Sequence, residues 1–199
     1  MKAAVNIATH IKQLLETLQQ PVLTPFLADW PHTCRVRSIP PSDLPVLRWL
    51  MPIAGDTTAF GGDLVAALCR AALSLAWRQT YSAEDLDPAF LSNYGWSEIL
   101  GGNGPLESER MACGFLLLGP TTHYPRHRHT AEEMYLPLSG TAAWQQGDGM
   151  WRERTPGTPI HHAADEPHAM RTGHSPLLAL YLWRGANIAQ KARLDATRT

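Results

Sequence analysis

The chain has 199 residues, 44% of them hydrophobic and 18% charged, which suits one compact unit with a buried core, or one barrel with a helical extension. A formal charge of −1 argues against nucleic acid or an anionic membrane surface as a partner. Cys34, Cys69 and Cys113 form no CxxC pair, no apolar run approaches the ~20 residues of a membrane span, and MKAAVNIATHIKQ lacks an apolar signal core, so reduced thiols in the cytoplasm are expected.

In chain order, Ile7, Ile11, Leu14, Leu15 and Leu18 make a helical stripe over residues 4–19 that Pro21 ends. Residues 21–60 are proline-rich and read as irregular, with Trp30 and Trp49 as packing anchors. A turn at Pro40-Pro41-Ser42-Asp43 would let Ser42 or Asp43 cap a short helix towards Met51. Gly61-Gly62-Asp63 opens a second helix, Leu64 to Trp77, with Asp63 as its N-cap. Ser82 to Asp85 has capping-box spacing and predicts a short helix to about Tyr94.

Gly101-Gly102-Asn103-Gly104-Pro105 is the strongest break. It divides the chain into a helical region, residues 1–104, and a strand-rich region, residues 105–199. In the second part the pattern predicts strands at Cys113–Leu118, Tyr124–His129, Met134–Leu138, Thr141–Gln146, Trp151–Arg154, Thr158–His162, Pro167–Thr172 and Leu177–Trp183. Short strands at near-regular spacing suggest an all-β sandwich or barrel. Residues 186–199 read as a short helix and a loose end.

The chemistry is concentrated in HYPRHRHTAEEMYLPLSG, His123 to Gly140. Seven of the nine histidines lie between His123 and His174. His127, His129, Glu133 and Tyr135 share odd numbers, so an extended backbone aims them at one face. Two neutral imidazoles and a carboxylate on one face suit a divalent metal, and His168 in EPHAMRT can supply a fourth ligand from a distant strand. His/Glu ligation suits zinc, iron, manganese, cobalt or nickel. Arg126, Arg128 and Glu132 have the opposite parity and should point away, the arginines into solvent or a dimer contact. Of His161 and His162, alternation puts only one inside.

His-x-His, three residues, Glu, six residues and Gly, from His127 to Gly140, resembles the first signature motif of the cupin superfamily. The second motif corresponds to GTPIHHAADEPHAMRT, where His168 fits the ligand place while Ala163 and Asp165 stand where Pro and Gly are usual. The resemblance implies a mainly β fold with added α, a C-terminal cupin β-barrel (double-stranded β-helix, or jelly roll) behind an N-terminal helical region. More specifically, HYPRHRHTAEEMYLPLSG with the later HH…PHAMRT resembles the bacterial cupin-type dimethylsulfoniopropionate (DMSP) lyases, a likeness that extends to NYGWSEILG, Asn93 to Gly101. It implies a metal-dependent β-elimination that releases dimethyl sulfide and acrylate. The resemblance places Tyr135 as the base that takes the Cα proton, with Tyr124 as a second tyrosine of the site. It points to Trp183 as the aromatic face for the sulfonium, ahead of Trp144 and Tyr181. His123, at the mouth of the motif, could bond the substrate. A homodimer is expected from the habit of cupins. Another cupin enzyme, a dioxygenase or isomerase, would use the same ligands. A non-catalytic ligand-binding cupin usually accompanies a basic DNA-reading helix, and residues 61–77 carry only Arg70.

Overall fold

A computed structural model describes residues 2–185 and 187–195. Five helices come first: α1 (Lys2–Leu18), α2 (Thr24–Asp29), α3 (Leu50–Ala54), α4 (Gly62–Ala71) and α5 (Pro88–Ser92). The strands are β1 (Tyr94–Leu100), β2 (Met111–Leu118), β3 (His123–Arg128), β4 (Glu132–Ser139), β5 (Ala142–Gln146), β6 (Arg152–Arg154), β7 (Ile160–His162), β8 (His168–Thr172), β9 (Leu177–Arg184) and β10 (Arg193–Leu194). They form two antiparallel five-stranded sheets, one in the order β1-β2-β9-β4-β7 and the other β10-β3-β8-β5-β6. This is the mainly β architecture with a helical layer that the sequence implies.

Strand alternation separates two cores. On the first sheet Cys113, Phe115, Leu117, Met134, Leu136, Leu138, Leu178, Leu180 and Leu182 face the helices. There they meet Ile7, Ile11 and Leu15 of α1 and Leu64 and Leu68 of α4. Their neighbours Leu116, Leu118, Tyr135, Ala179 and Tyr181 face the barrel interior with Tyr124, Trp144 and Met170. Because both faces of the sheet are covered, β2 and most of β9 are buried without a break, the pattern of doubly covered strands. Gly140, which closes the motif, has φ +80°, and an added Cβ would run into the Pro176 carbonyl. Only glycine accepts both conditions without strain.

Several local expectations change. Residues 21–60 are not irregular throughout: α2 and α3 form there, each preceded by a 3-10 turn, Pro21–Leu23 and Pro45–Trp49. Neither Ser42 nor Asp43 caps; the cap position is Leu44, and Ser42 Oγ donates to the Trp77 carbonyl at 2.8 Å. The second helix stops at Ala71 rather than Trp77, because Ala72–Ser74 tightens to 3-10 and Ser42 and Arg78 draw the chain into bridges. Its cap is Gly61 at φ +68°, with Asp63 inside the first turn. Ser82 and Asp85 do close on each other, Ser82 N–H donating to Asp85 Oδ2 at 2.8 Å, but they close a turn. The helix that follows is capped by Asp87, which accepts the Phe90 N–H at 2.8 Å. Tyr94 opens a strand, so the first sheet begins upstream of the Gly101–Pro105 break. In the tail, Ala186 and residues 196–199 lie outside the described residues. Between them stands β10, paired with β3, instead of a helix.

Candidate metal centre

The motif that reads as one extended face is divided between the two sheets. His127 lies on β3 of the second sheet, and Glu133 and Tyr135 lie on β4 of the first. His129 stands in the crossing between them. A register shift between Tyr124 and His127 turns both side chains inward despite their different parity. His168, on β8, is the cross-strand partner of His127.

These groups converge. One donor atom each from His129, Glu133 and His168 lie within 4.8 Å of one another. Glu133 is fully buried; its Oε2 is 2.9 Å from His129 Nε2 and 3.2 Å from His168 Nε2, and its Oε1 accepts the Trp183 indole N–H at 2.5 Å. His127 adjoins the three, its ring centroid 4.2 Å from that of His168 and 6.4 Å from that of His129.

All three imidazoles are held the same way. His127 Nδ1 is 2.8 Å from the Pro125 carbonyl, His129 Nδ1 2.8 Å from that of Ala131, and His168 Nδ1 2.9 Å from that of Glu166. A carbonyl only accepts, so each Nδ1 carries a proton; Nε2 of His127 and of His168 is left with its lone pair, while Nε2 of His129 meets the Glu133 carboxylate at 2.9 Å. Backbone carbonyls that orient imidazoles in this way are the usual supports of metal-binding histidines. His168 Nε2 is buried and makes no hydrogen bond. A buried nitrogen lone pair without a partner, beside two more imidazoles and a carboxylate, fits a divalent ion.

The electrostatics follow from burial. Burial alone would raise the Glu133 carboxyl, but the imidazoles of His129 and His168 hold it well below the usual carboxylate range. Burial, then His168, keeps the His127 imidazole well below its ordinary value. Burial would also lower His129, yet Glu133 beside it prevails and raises it. Burial, and then the charge of Glu133, push the Tyr135 hydroxyl well up.

A cavity of about 390 Å³ opens beside this cluster. Tyr124, His127, Glu133, Tyr135, Tyr181 and Trp183 line it from the barrel, and Trp96 and Glu98 line it from β1. Tyr124 stacks on His127 at 4.0 Å between centroids, and its hydroxyl is 3.3 Å from that of Tyr81. Trp183 packs 4.2 Å from the His129 ring while its edge bonds Glu133. Trp144 is buried in the barrel core and does not border the cavity. His123 does not either. It is exposed on the outer side of β3, edge-on to Trp151 at 5.9 Å, because the register shift that brings Tyr124 in leaves its neighbour out. Arg126 and Arg128 do point away, as their parity predicts, but they bind Asp195 rather than remaining free: Arg128 Nε lies 2.5 Å and Arg126 Nε 3.1 Å from that carboxylate, tying the tail to β3. Glu132 also points away, to His161 at 2.7 Å.

In the sequence Glu98 and Trp96 carry no assigned role: they alternate in YGWSE and lie within the Asn93–Gly101 stretch of the resemblance, and neither feature gives them a task. The sequence also leaves open which of the paired histidines turns inward. His162 does, fully buried and stacked on His168 at 4.0 Å. Burial, then His168, depress it to about 2. In the unfolded chain a histidine titrates near 6.5. Between these values the unfolded state binds the extra proton, so stability is lost as pH falls below about 6.5. The melting temperature of metal-free protein should therefore fall from about pH 7 to pH 4, and His162→Phe should flatten that slope. A slope unchanged by the substitution would remove His162 as a cause.

Comparison with known proteins agrees with this geometry. The DddQ dimethylsulfoniopropionate lyase of Ruegeria pomeroyi is 29% identical over 84% of this chain and 83% of its own. A putative dimethylsulfoniopropionate lyase, DddL, of Cereibacter sphaeroides is 38% identical over 60% of this chain, which spans only 50% of that longer protein. The crystal structure of the Ruegeria pomeroyi DddQ superimposes with a TM-score of 0.88 at 26% identity, covering 100% of this chain and 98% of that one. A structure from a study of the DMSP lyases RdDddP and RnDddQII gives 0.86 at 29% identity, with 98% of both chains covered. The dimethylsulfoniopropionate lyase family model matches residues 29–179. With most of its length under that match and the cupin motif folded into one buried His/Glu cluster, the chain belongs to the dimethylsulfoniopropionate lyase family.

Proposed function

We propose that this protein is a carbon–sulfur lyase that cleaves dimethylsulfoniopropionate to dimethyl sulfide and acrylate. The observation that carries the reading is the convergence of the backbone-anchored imidazoles of His129 and His168 on the buried Glu133, with His127 anchored beside His168, at one side of a cavity that also presents Tyr135. His127, His129, Glu133 and His168 would hold one divalent transition metal: zinc, iron, manganese, cobalt or nickel. Bound there, the ion would polarise the substrate carboxylate and favour an ionised phenol nearby.

The chain's own groups then have distinct tasks. The phenolate of Tyr135 takes the Cα proton, that C–H electron pair forms the Cα–Cβ double bond, and the Cβ–S pair leaves with sulfur as dimethyl sulfide. Charge balances without any oxidant. Tyr124, stacked on His127, borders the substrate. Trp183 keeps Glu133 oriented through its indole N–H and offers its ring to the cavity. Buried aromatic walls exclude water from the reacting carbon.

The wider reading also has support. The helical region, residues 1–104, packs on the barrel, residues 105–199, and supplies β1, Tyr94–Leu100, as the edge strand of the first sheet. Three unpaired thiols favour the cytoplasm, and no helix among the described residues is long and apolar enough to cross a membrane. A homodimer follows from the resemblance to cupins, and sedimentation would read it.

Metal-loaded protein given dimethylsulfoniopropionate should release dimethyl sulfide and acrylate in equal amounts, at the same rate with and without oxygen. Headspace chromatography and an acrylate assay check both. Absence of release sinks the substrate, and dependence on oxygen sinks the elimination.

A further inference from the structure

The cavity contains a second carboxylate for which the elimination has no use. Glu98, on β1, is 7% exposed and borders the same space as Glu133, Tyr135 and Tyr181. Cross-strand register sets Glu98 opposite Gly114, Gly114 opposite Tyr181, and Tyr181 opposite Tyr135. One row across the sheet therefore runs carboxylate, glycine, phenol, phenol. Gly114 contributes no side chain, so β2 places nothing between Glu98 and Tyr181.

A carboxylate this buried is rare unless a cation pairs with it. Glu98 makes no ion pair among the described residues. Arg37, the cation whose charge it feels, lies against Glu107 at 3.8 Å and donates to the carbonyls of Gly104, at 2.7 Å, and Gly102. Lys191 also borders the cavity but is exposed and makes no ion pair with Glu98. The Asn103 backbone N–H, donated to Oε1 at 2.5 Å, satisfies part of the group's capacity, since an ionised carboxylate has about four acceptor sites. Burial raises this carboxyl above its ordinary range, so a cation beside it is what would favour its ionised form, and what remains is an acidic group without a counter-ion bordering a partly aromatic cavity.

We propose that Glu98 is the specificity-determining residue for the cationic end of the substrate, which sits between its carboxylate and the faces of Trp96 and Tyr181. This deepens the proposed function and rests on it for the identity of the cation. A sulfonium or quaternary ammonium has no N–H to donate, so only charge and aromatic faces can recognise it. The order of the row suits a zwitterion: Tyr135 at the carbon that loses its proton, Tyr181 next, Glu98 beyond the leaving group.

The test uses two ligands of one shape that lack the sulfonium leaving group, on metal-loaded protein with acrylate formation monitored: 3-(trimethylammonio)propionate and its neutral carbon analogue 4,4-dimethylpentanoate. Calorimetry should show the parent binding the cation at least about tenfold more tightly. In Glu98→Gln, which keeps the shape and can still accept from Asn103, that ratio should fall to within about threefold while the neutral ligand binds as before; Glu98→Asp should keep part of the preference. A parent without preference, a preference that survives in Glu98→Gln, or an equal loss for both ligands would overturn the proposal, the last by making Glu98 purely structural. Dimethyl sulfide release is read on the same samples. A Glu98-dependent cation preference in protein that releases none supports this inference while sinking the lyase reading.

Discussion

Glu133→Ala should leave the purified protein without metal and lower dimethyl sulfide release by more than about a hundredfold, beyond the 10–100-fold that loss of a group supporting a metal ligand costs. Glu133 is where the interactions of the site meet. One oxygen faces His129 and His168, the other holds the Trp183 indole, and no part of the side chain reaches solvent. Removing it leaves the indole N–H unpaired and deletes the only negative group of the ligand set. Three neutral imidazoles would then have to bind a doubly charged ion in a buried site without charge compensation, which is unfavourable at low dielectric. Metal analysis of the purified variant and headspace assay are the two readouts. Full metal content in Glu133→Ala would exclude it as a ligand, and full activity would exclude the proposed site altogether.

For Tyr135→Phe, kcat should fall by about 10²–10⁴-fold, the usual contribution of a positioned proton acceptor, with metal content and substrate affinity retained. The ring is buried in the barrel interior, 6.4 Å between centroids from His168 and 6.2 Å from Trp144. Phenylalanine can keep that packing and lose only the oxygen. A fall in kcat at constant KM separates lost chemistry from lost binding. Tyr124→Phe should cost less, because its hydroxyl is already shared with Tyr81 at 3.3 Å and Tyr94 at 3.5 Å, and its ring does the work of supporting His127. If Tyr124→Phe is the more damaging change, the base moves to Tyr124.

The local signals in the chain had unequal reach. The α1 stripe, the strands from β2 to β9 and the left-handed Gly140 that closes the motif all follow from period, apolar pattern and backbone freedom, which are properties of a few neighbouring residues. Capping was less legible. Ser82 and Asp85 make the bonds their spacing predicts, yet those bonds close a turn, and Asp87 starts the helix. A side chain that can bond nearby N–H groups does so in a turn as readily as at a helix. β1 is poorly legible in the sequence because its partner, β2, lies beyond a glycine-rich loop, and strand pairing across a loop leaves little local trace.

The sequence by itself determined the chemistry of the site: the ligand types of the His127–Gly140 motif, Tyr135 beside them, and His168 as a distant histidine. Those features depend on residue identity and spacing. Only the tertiary structure decided how they meet, because the motif crosses from one sheet to the other at His129. Parity along a single strand could not anticipate that Tyr124 turns inward and His123 outward across a register shift. Nor could it place Glu98 in the row of Tyr181 and Tyr135, since that neighbourhood depends on strand order, and strand order is set by how two sheets and a helical layer bury one another.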